Sequence, residues 1–373
     1  MPNNKENGGA AVPHHAAITA WLNHLRLIAE MPYPGWVLMP TLMTLARAHI
    51  DGTVFSFMWL APDSERPAAL WIDPVNEAVY RGFIAGQPEI FDEYPVQTML
   101  QTRGRAIRML ENTPEYEAGP MYRHVLRPFG VHWGMGVPVA LGNGSTGFAN
   151  VCRRHEQGRY SDEEWALWDR FAASLAELDR PDGRWQMPPC PDFLETDSAT
   201  LWLDANGRLL THGPSMRRLL FLLQEKGLGP PAWSRCDDQA LPPEIRAAAT
   251  PLFFANSPPR RELMLSREAG HFHFVLERMQ ATPELPKPPS CITIRHHEPT
   301  DLAVARRLWG WAMSPQEKRI LIATARHASL AEMADSLDIS LGTLKAYNNE
   351  LLARFQTDSR PALLAKVLAS GQN

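Results

Sequence analysis

Near its end, the chain repeats apolar residues with a helical period. The first set is spaced i, i+3, i+4 and i+7, and consists of Leu330, Met333, Ala334 and Leu337. This spacing predicts a short helix with one buried face. Ser329 precedes it and Glu332 follows three residues later, which is the pattern of a capping box.

A second apolar stripe follows Asp338, where the first pattern breaks. It consists of Leu344, Tyr347, Leu351 and Phe355. Ser340 is the predicted N-cap of this helix, because its hydroxyl can accept a hydrogen bond from the amide of Thr343. The opposite face of the helix carries Lys345, Ala346 and Asn349. The sequence thus predicts two short helices joined by a tight turn.

The outer face of the second helix suits contact with DNA bases. A lysine can pair with phosphate or guanine, an asparagine can bond adenine in bidentate fashion, and a small alanine allows close approach to a thymine methyl. The predicted DNA-binding residues are Ser340, Thr343, Lys345, Ala346 and Asn349. A Leu-rich helical bundle with a solvated charged face is the alternative explanation of this pattern.

Residues 313–355 resemble the DNA-binding domain of LuxR-type transcription regulators. The family's opening pattern is met by Met313, Ser314, Gln316, Glu317, Ile320 and Leu321. Its middle is met by 332–334, Leu337, Ile339, Ser340 and 343–345. Three residues depart from the pattern. His327 stands where the family usually has Gly, Tyr347 where it usually has His, and Phe355 where it usually has Leu.

The resemblance implies a helix-turn-helix from Ser329 to Asn348, with Lys345, Ala346 and Asn349 facing the bases. It also implies a last helix, opened by Ser359, at which two DNA-binding domains meet. Residues 301–373 carry nine Lys and Arg against seven Asp and Glu, whereas the whole chain has a net charge of -4. So weak a positive charge favours a homodimer on a two-part site in double-stranded DNA.

Upstream of these helices, residues 14–180 have a mixed pattern. Helices are predicted at 18–28, 38–50, 75–86 and 162–178, and strands at 54–60, 70–72, 133–140 and 147–153, the last two forming a hairpin. The segment 122–139, followed by a glycine-rich turn and by Ser161 to Glu164, resembles a GAF-type domain. Such domains are ligand pockets in some proteins and dimer scaffolds in others. The candidate pocket residues are Tyr122, Phe129, His132 and Trp133; packing in the core is the alternative role for them.

Residues 193–299 predict a second α+β unit. A strand, an Asn-Gly turn and a strand span 201–210, a helix spans 214–223, and strands follow at 271–277 and 292–299. This order resembles a small PAS-type domain. Pro-dense stretches at 181–192 and 281–289 predict a linker and a loop, and polar residues at 1–13 predict a mobile N-terminus.

Composition limits the class of protein. The four cysteines, at 152, 190, 236 and 291, have no metal or disulfide spacing, which fits a reducing cytoplasm. Neither a signal peptide nor a membrane-spanning apolar run is evident in the sequence, so no membrane partner is expected. His271 and His273 share a strand face, but no third ligand is near in sequence, so we predict no metal site. We expect no enzyme activity, catalytic residue or cofactor, because no catalytic set or phosphate loop is recognisable.

The expected protein is a cytoplasmic, bacterial, multidomain regulator with GAF-like and PAS-like α+β sensor domains before an all-α helix-turn-helix domain at 300–373. A small-molecule signal or a partner protein would control it, and RNA polymerase is a further expected partner. Two alternatives stay open. The segment 71–75 has a faint similarity to acyl-homoserine-lactone receptors, and a sigma-like RNA polymerase-binding factor would also end in such helices.

Overall fold

The computed structural model describes residues 11–60, 67–74, 89, 107–109, 114–120, 122–141, 146–178, 192–207, 209–213, 215–223, 243–253, 258–284, 286–326 and 329–370. We call residues 11–178 the N-terminal unit, 192–299 the central unit and 300–370 the C-terminal unit. In these described parts, no helix has both the length and the apolar character needed to cross a membrane.

An antiparallel sheet forms the centre of the N-terminal unit. Its strands are β1 (Val54–Leu60), β2 (Pro67–Asp73), β3 (Ile107–Met109), β4 (Val131–Ala140) and β5 (Thr146–Arg154). The strand order is β2-β1-β5-β4-β3. The predicted hairpin is confirmed, because β4 pairs with β5 and Ala140 lies opposite Thr146. The tip of that hairpin and the helix predicted at 75–86 lie outside the described residues.

Helices pack beside this sheet. They are α1 (Ala11–Ala29), α2 (Gly35–Ala46), α3 (Pro114–Ala118) and α4 (Asp162–Ser174). The capping box predicted before α4 is present, since the Ser161 hydroxyl accepts from the Glu164 amide at 3.2 Å and the Ser161 amide donates to the Glu164 carboxylate at 2.7 Å. On α4, Phe171 is fully buried, and its ring centre lies 6.2 Å from that of Trp21 on α1. Helices α1 and α4 therefore pack against each other.

The start of α1 corrects one expectation. The sequence predicts a mobile terminus over 1–13 and a first helix from Ile18, but the helix begins at Ala11. Alanines at 11, 16 and 17 favour helix, and Pro13 lies in the first turn, where its missing amide costs no hydrogen bond. Residues 1–10 lie outside the described part of the chain.

The central unit contains a second antiparallel sheet. Its strands are β6 (Phe193–Leu203), β7 (Leu209–His212), β8 (Arg260–Arg267), β9 (Gly270–Arg278) and β10 (Ser290–Pro299). Helices α5 (Met216–Leu222) and α6 (Pro243–Ala249) lie between β7 and β8 in the chain. The Pro-rich stretch 281–289 is the loop between β9 and β10, as predicted, whereas the Pro-rich segment 181–191 is outside the described residues.

The two sheets have the same topology. The second sheet has the order β7-β6-β10-β9-β8, so in both units the first and last strands pair at the centre. Counted within each unit, both orders read 2-1-5-4-3. Within the described residues, strand order therefore does not distinguish the GAF-like unit from the PAS-like unit.

The C-terminal unit follows β10 without an intervening loop. Its helices are α7 (Thr300–Arg307), α8 (Pro315–Arg326), α9 (Leu330–Ser336), α10 (Leu341–Arg354) and α11 (Arg360–Ala369). Within residues 300–370 the described elements are helices only, including a 3-10 turn at Leu308–Gly310. The chain thus continues directly from β10 of the central sheet into α7, the first helix of the C-terminal unit.

Candidate nucleic-acid interface

Helix α9 supports the predicted interface from within the C-terminal unit. Its predicted capping box is present, with the Ser329 hydroxyl accepting from the Glu332 amide and the Ser329 amide donating to the Glu332 carboxylate, both at 3.2 Å. Two of its predicted inward residues, Met333 and Ala334, are buried. The helix is therefore one-sided, as its apolar spacing predicts.

A four-residue turn, 337–340, connects α9 to α10. Asp338 has a φ of 52°, in the left-handed region that Asp tolerates better than most residues. The Ile339 amide donates to the Ala334 carbonyl at 3.1 Å and so closes α9. The Ser340 hydroxyl accepts from the Thr343 amide at 3.0 Å, which confirms Ser340 as the N-cap of α10.

Helix α10 has one buried and one exposed side. Leu344, Asn348 and Leu351 are buried, whereas Tyr347 is half-buried. The residues predicted to face DNA are exposed without exception: Ser340, Thr343, Lys345, Ala346 and Asn349. We call these five residues the recognition strip.

Asn348 is the residue on α10 that the apolar pattern misses. It lies one turn after Leu344 and therefore on the same inner face. Its side-chain nitrogen is buried and has no hydrogen-bond partner among the described residues. The i+4 spacing alone could have placed it there, although its polar character argues for the surface.

The far end of α10 is fixed to α8. Arg354 pairs with Glu317 of α8 at 2.9 Å and donates to the carbonyl of Ala312. Burial would raise the pKa of Glu317, but hydrogen bonds from Ser314 and the charge of Arg354 outweigh it and lower that pKa. These contacts connect the C-terminal end of α10 to the start of α8.

The polar side chains of the recognition strip are hydrogen-bond donors on the exposed side of α10. Lys345 and Asn349 are four residues apart, so their side chains are neighbours on the helix surface. Ala346 lies between them, and its small side chain allows the helix to approach the floor of a DNA groove closely. An ammonium and an amide can donate to the acceptor edges of bases, and the hydroxyls of Ser340 and Thr343 suit phosphate oxygens.

Contacts with the N-terminal unit involve α7 and α8 rather than the recognition strip. Arg319 of α8 pairs with Glu30, at the end of α1, at 2.8 Å. Asp301 of α7 accepts a hydrogen bond from the Tyr33 hydroxyl at 2.5 Å and pairs with Arg326 at 2.7 Å. A cavity of about 300 Å³ lies between α1 and α8. The helical unit is thus docked with its recognition strip open to solvent.

The candidate pocket residues lie at one end of the first sheet. Tyr122 and Phe129 are in helical turns before β4, and His132 and Trp133 are near the start of that strand. The His132 ring lies 4.7 Å from Trp133 and 4.6 Å from His155, so the structure brings these three rings together. Burial and the neighbouring His155 lower the pKa of His132. Tyr122, Phe129 and Trp133 are half-buried and pack against the hydrophobic core.

Neither described cavity is lined by these four aromatic residues. The larger one, of about 430 Å³, lies where α2, the central sheet and α7 meet. Its residues come from segments more than 200 positions apart in the chain, such as Val37 and Arg307. Sequence reasoning missed it because no local spacing signals such a convergence.

His271 and His273 share a face of β9, as predicted, and both have partners. The His271 ring lies 2.9 Å from the Ser266 hydroxyl, and the His273 ring lies 3.1 Å from the Glu262 carboxylate. Within the described residues, no three His, Cys, Asp or Glu side chains are grouped to hold a metal ion.

Comparison with known proteins gives weak structural similarities. No family model and no curated protein matches the chain. An N-acylhomoserine lactone dependent LuxR family transcription factor, CepR2 from Burkholderia cenocepacia, is 13% identical with a TM-score of 0.32, covering 43% of this chain and 93% of its own. SdiA from Escherichia coli is 14% identical with a TM-score of 0.28 and 90% coverage of both chains. The VqmA dimer of Vibrio cholerae, described among LuxR-type receptors, is 14% identical with a TM-score of 0.19, covering 47% of this chain and 84% of its own. These TM-scores are too low to establish a common fold.

Proposed function

We propose that this chain is a cytoplasmic LuxR-type transcription regulator that binds double-stranded DNA sequence-specifically as a homodimer. The α9–α10 pair is its helix-turn-helix, and the recognition strip is its base-reading surface. The N-terminal and central units act as GAF-like and PAS-like sensors. The protein is a regulator rather than an enzyme.

The burial pattern of α10 carries this proposal. A helix that buries Leu344 and Leu351 and exposes Lys345, Ala346 and Asn349 presents a polar ridge on a rigid support. A recognition helix needs such a ridge, because its side chains must reach base edges while the rest of the unit stays outside the groove. Capping at Ser340 keeps the leading end of the helix ordered.

Dimerisation follows from the small charge of the C-terminal unit and from α11. With a surplus of only about two positive charges, one copy gains little from phosphate neutralisation. On α11, Leu363 and Val367 are buried, while Leu364 and Leu368 are half-buried at i, i+4 spacing. We assign these two leucines to the contact between two C-terminal units.

Signal reception is proposed for the first sheet, at Tyr122, Phe129, His132 and Trp133. Their half-burial beside the core leaves part of each ring accessible. A signal bound there would shift the population of dimer arrangements and so change the spacing of the two recognition helices.

The test is selection of bound sequences from a random DNA pool by the purified full-length protein at a fixed salt concentration. A two-part inverted repeat is the expected product. The variant Lys345→Ala with Asn349→Ala should lose the selected site. A matched control, Lys287→Ala with Asn206→Ala, removes the same two side-chain types from exposed positions in the central unit and should retain it.

The same experiment can also contradict the proposed function. If the double variant in α10 binds the selected site as tightly as the unaltered protein does, the recognition strip is assigned wrongly. If neither the full chain nor residues 300–373 alone enrich any sequence, the DNA-binding proposal itself fails.

A further inference from the structure

The cavity of about 430 Å³ touches all three units of the chain. Val37 and Trp71 line it from the N-terminal unit, Leu222 from the central unit and Leu302 from α7. Its volume lies within the range of about 300–1,000 Å³ that is usual for small-molecule sites. The apolar walls could therefore enclose the body of a ligand.

Three arginines line the same cavity, and two of them are neutralised. Arg218 pairs with Asp197 at 2.7 Å, and Arg306 pairs with Glu298 at 2.7 Å. Arg307 has no carboxylate partner among the described residues, and its Nη1 atom is buried without a hydrogen bond. Two of the three guanidinium groups thus have an ion-pair partner, and the charge of Arg307 is left over.

Other polar atoms at this cavity also lack partners. The Glu298 side chain is only 4% exposed, and its Oε1 atom has no hydrogen-bond partner among the described residues. The same holds for the buried hydroxyl of Thr196. Buried polar atoms are normally satisfied, so a donor, an acceptor and a hydroxyl left open in one cavity indicate a missing group. Burial and the nearby Arg306 lower the pKa of Arg307, and the charge of Glu298 opposes this only in part.

We propose that this cavity binds a small organic carboxylate with an apolar body, its acid group paired with Arg307 and an N–H or O–H donor bonded to Glu298. The surplus of one charge fits a monoanion. A phosphate dianion carries two negative charges against one surplus positive charge, so its second charge would remain unpaired beside the Glu298 carboxylate.

The position of the cavity gives such a ligand a structural effect. Arg306 and Arg307 lie on α7, the helix that leads from the central sheet into the C-terminal unit. A ligand that contacts α7 together with α2 and β10 is bound best when the three units are docked, so it would favour that arrangement. This site is separate from the aromatic residues at the start of β4, and its binding of a ligand can be measured without DNA.

The experiment is calorimetric titration of the full-length protein with a panel of aryl and alkyl carboxylates, including 4-hydroxyphenylacetate, phenylacetate and octanoate. Each is paired with its neutral amide, and phenyl phosphate tests the charge count. We expect at least one carboxylate to bind saturably, its amide to bind about tenfold more weakly or not at all, and Arg307→Gln to have a similar effect.

Two controls separate binding from folding. Arg295→Gln removes an exposed arginine from the same strand as Glu298 and should leave binding unchanged. The unliganded melting temperature of Arg307→Gln should not fall, because Arg307 makes no ion pair with a described residue and its charge is partly desolvated. The proposal is overturned if no carboxylate of the panel binds saturably, if phenyl phosphate is preferred, or if the variants at 307 and 295 bind alike.

Discussion

The hydroxyl of Tyr33 donates a hydrogen bond of 2.5 Å to the carboxylate of Asp301, which lies 268 residues further along the chain. Asp301 is fully buried and also accepts from Arg326 of α8 at 2.9 Å. One carboxylate therefore joins the N-terminal unit, α7 and α8. It is the buried contact among those that dock the helical unit against the N-terminal unit.

Replacing this carboxylate should destabilise the docked chain. In Asp301→Ala, the Tyr33 hydroxyl and the Arg326 guanidinium lose a shared buried partner, so we expect the free energy of unfolding to fall by about 3 kcal/mol. Urea unfolding followed by tryptophan fluorescence measures the change. Glu30→Gln, which breaks the more exposed pair with Arg319, should cost less than about 1 kcal/mol. Equal losses in the two variants would contradict the special role of Asp301.

His24 makes the same interface sensitive to pH. It is buried on α1, with its ring 5.6 Å from that of Trp309, and burial together with the charge of Lys318 lowers its pKa to about 3. The folded state therefore keeps His24 neutral, whereas the unfolded chain takes up a proton below about pH 6.5. Stability from this residue is complete above that pH and is lost progressively between about pH 6.5 and 3, at up to about 1.4 kcal/mol per pH unit.

The variant His24→Leu tests this assignment. Unfolding by urea at pH 7.5 and at pH 5.5 should show a smaller difference in the variant than in the unaltered chain. An unchanged difference would mean that other groups produce the pH dependence.

The recognition helix could be predicted because its signals are local. The caps at Ser329 and Ser340 and the spacing of Leu344 and Leu351 lie within a few residues of one another, and the structure contains each of them. Strand β8 was not predicted, because charged residues begin it and the exposed Met264 hides the alternation between Leu263 and Leu265. This is typical of an edge strand.

Long-range contacts escaped the sequence for another reason. The pairing of Tyr33 with Asp301, and the convergence of three arginines on one cavity, depend on how separate units dock. Neither residue pattern nor spacing encodes that arrangement locally. The sequence therefore pointed to aromatic residues in the first sheet and gave no sign of the cavity between the units.

Ser340 offers a way to separate helix stability from DNA contact. Ser340→Ala removes the acceptor for the Thr343 amide and should cost about 1 kcal/mol of stability. Ser340→Asp keeps an acceptor and places a negative charge at the start of α10, so stability should be retained. The same charge should weaken binding to the selected DNA site by repelling phosphate. Thermal unfolding and a gel-shift titration measure the two effects, and equal DNA affinity in Ser340→Asp and the unaltered protein would place DNA away from this end of the helix.

Helix α11 allows the proposed dimer contact to be tested without altering the recognition strip. Leu364 and Leu368 are half-buried beside the buried Leu363 and Val367, so they lie at the edge of the core. A glutamate at 368 would put a charge into an apolar contact between two copies, and a buried unpaired charge is costly. We expect Leu368→Glu to lower the fraction of dimer in sedimentation velocity runs and to weaken binding to the inverted repeat more than to a single half-site. Ala365→Glu, on the exposed side of the same helix, adds the same charge and should change neither. If both variants remain dimeric and bind the inverted repeat alike, two C-terminal units do not meet through α11.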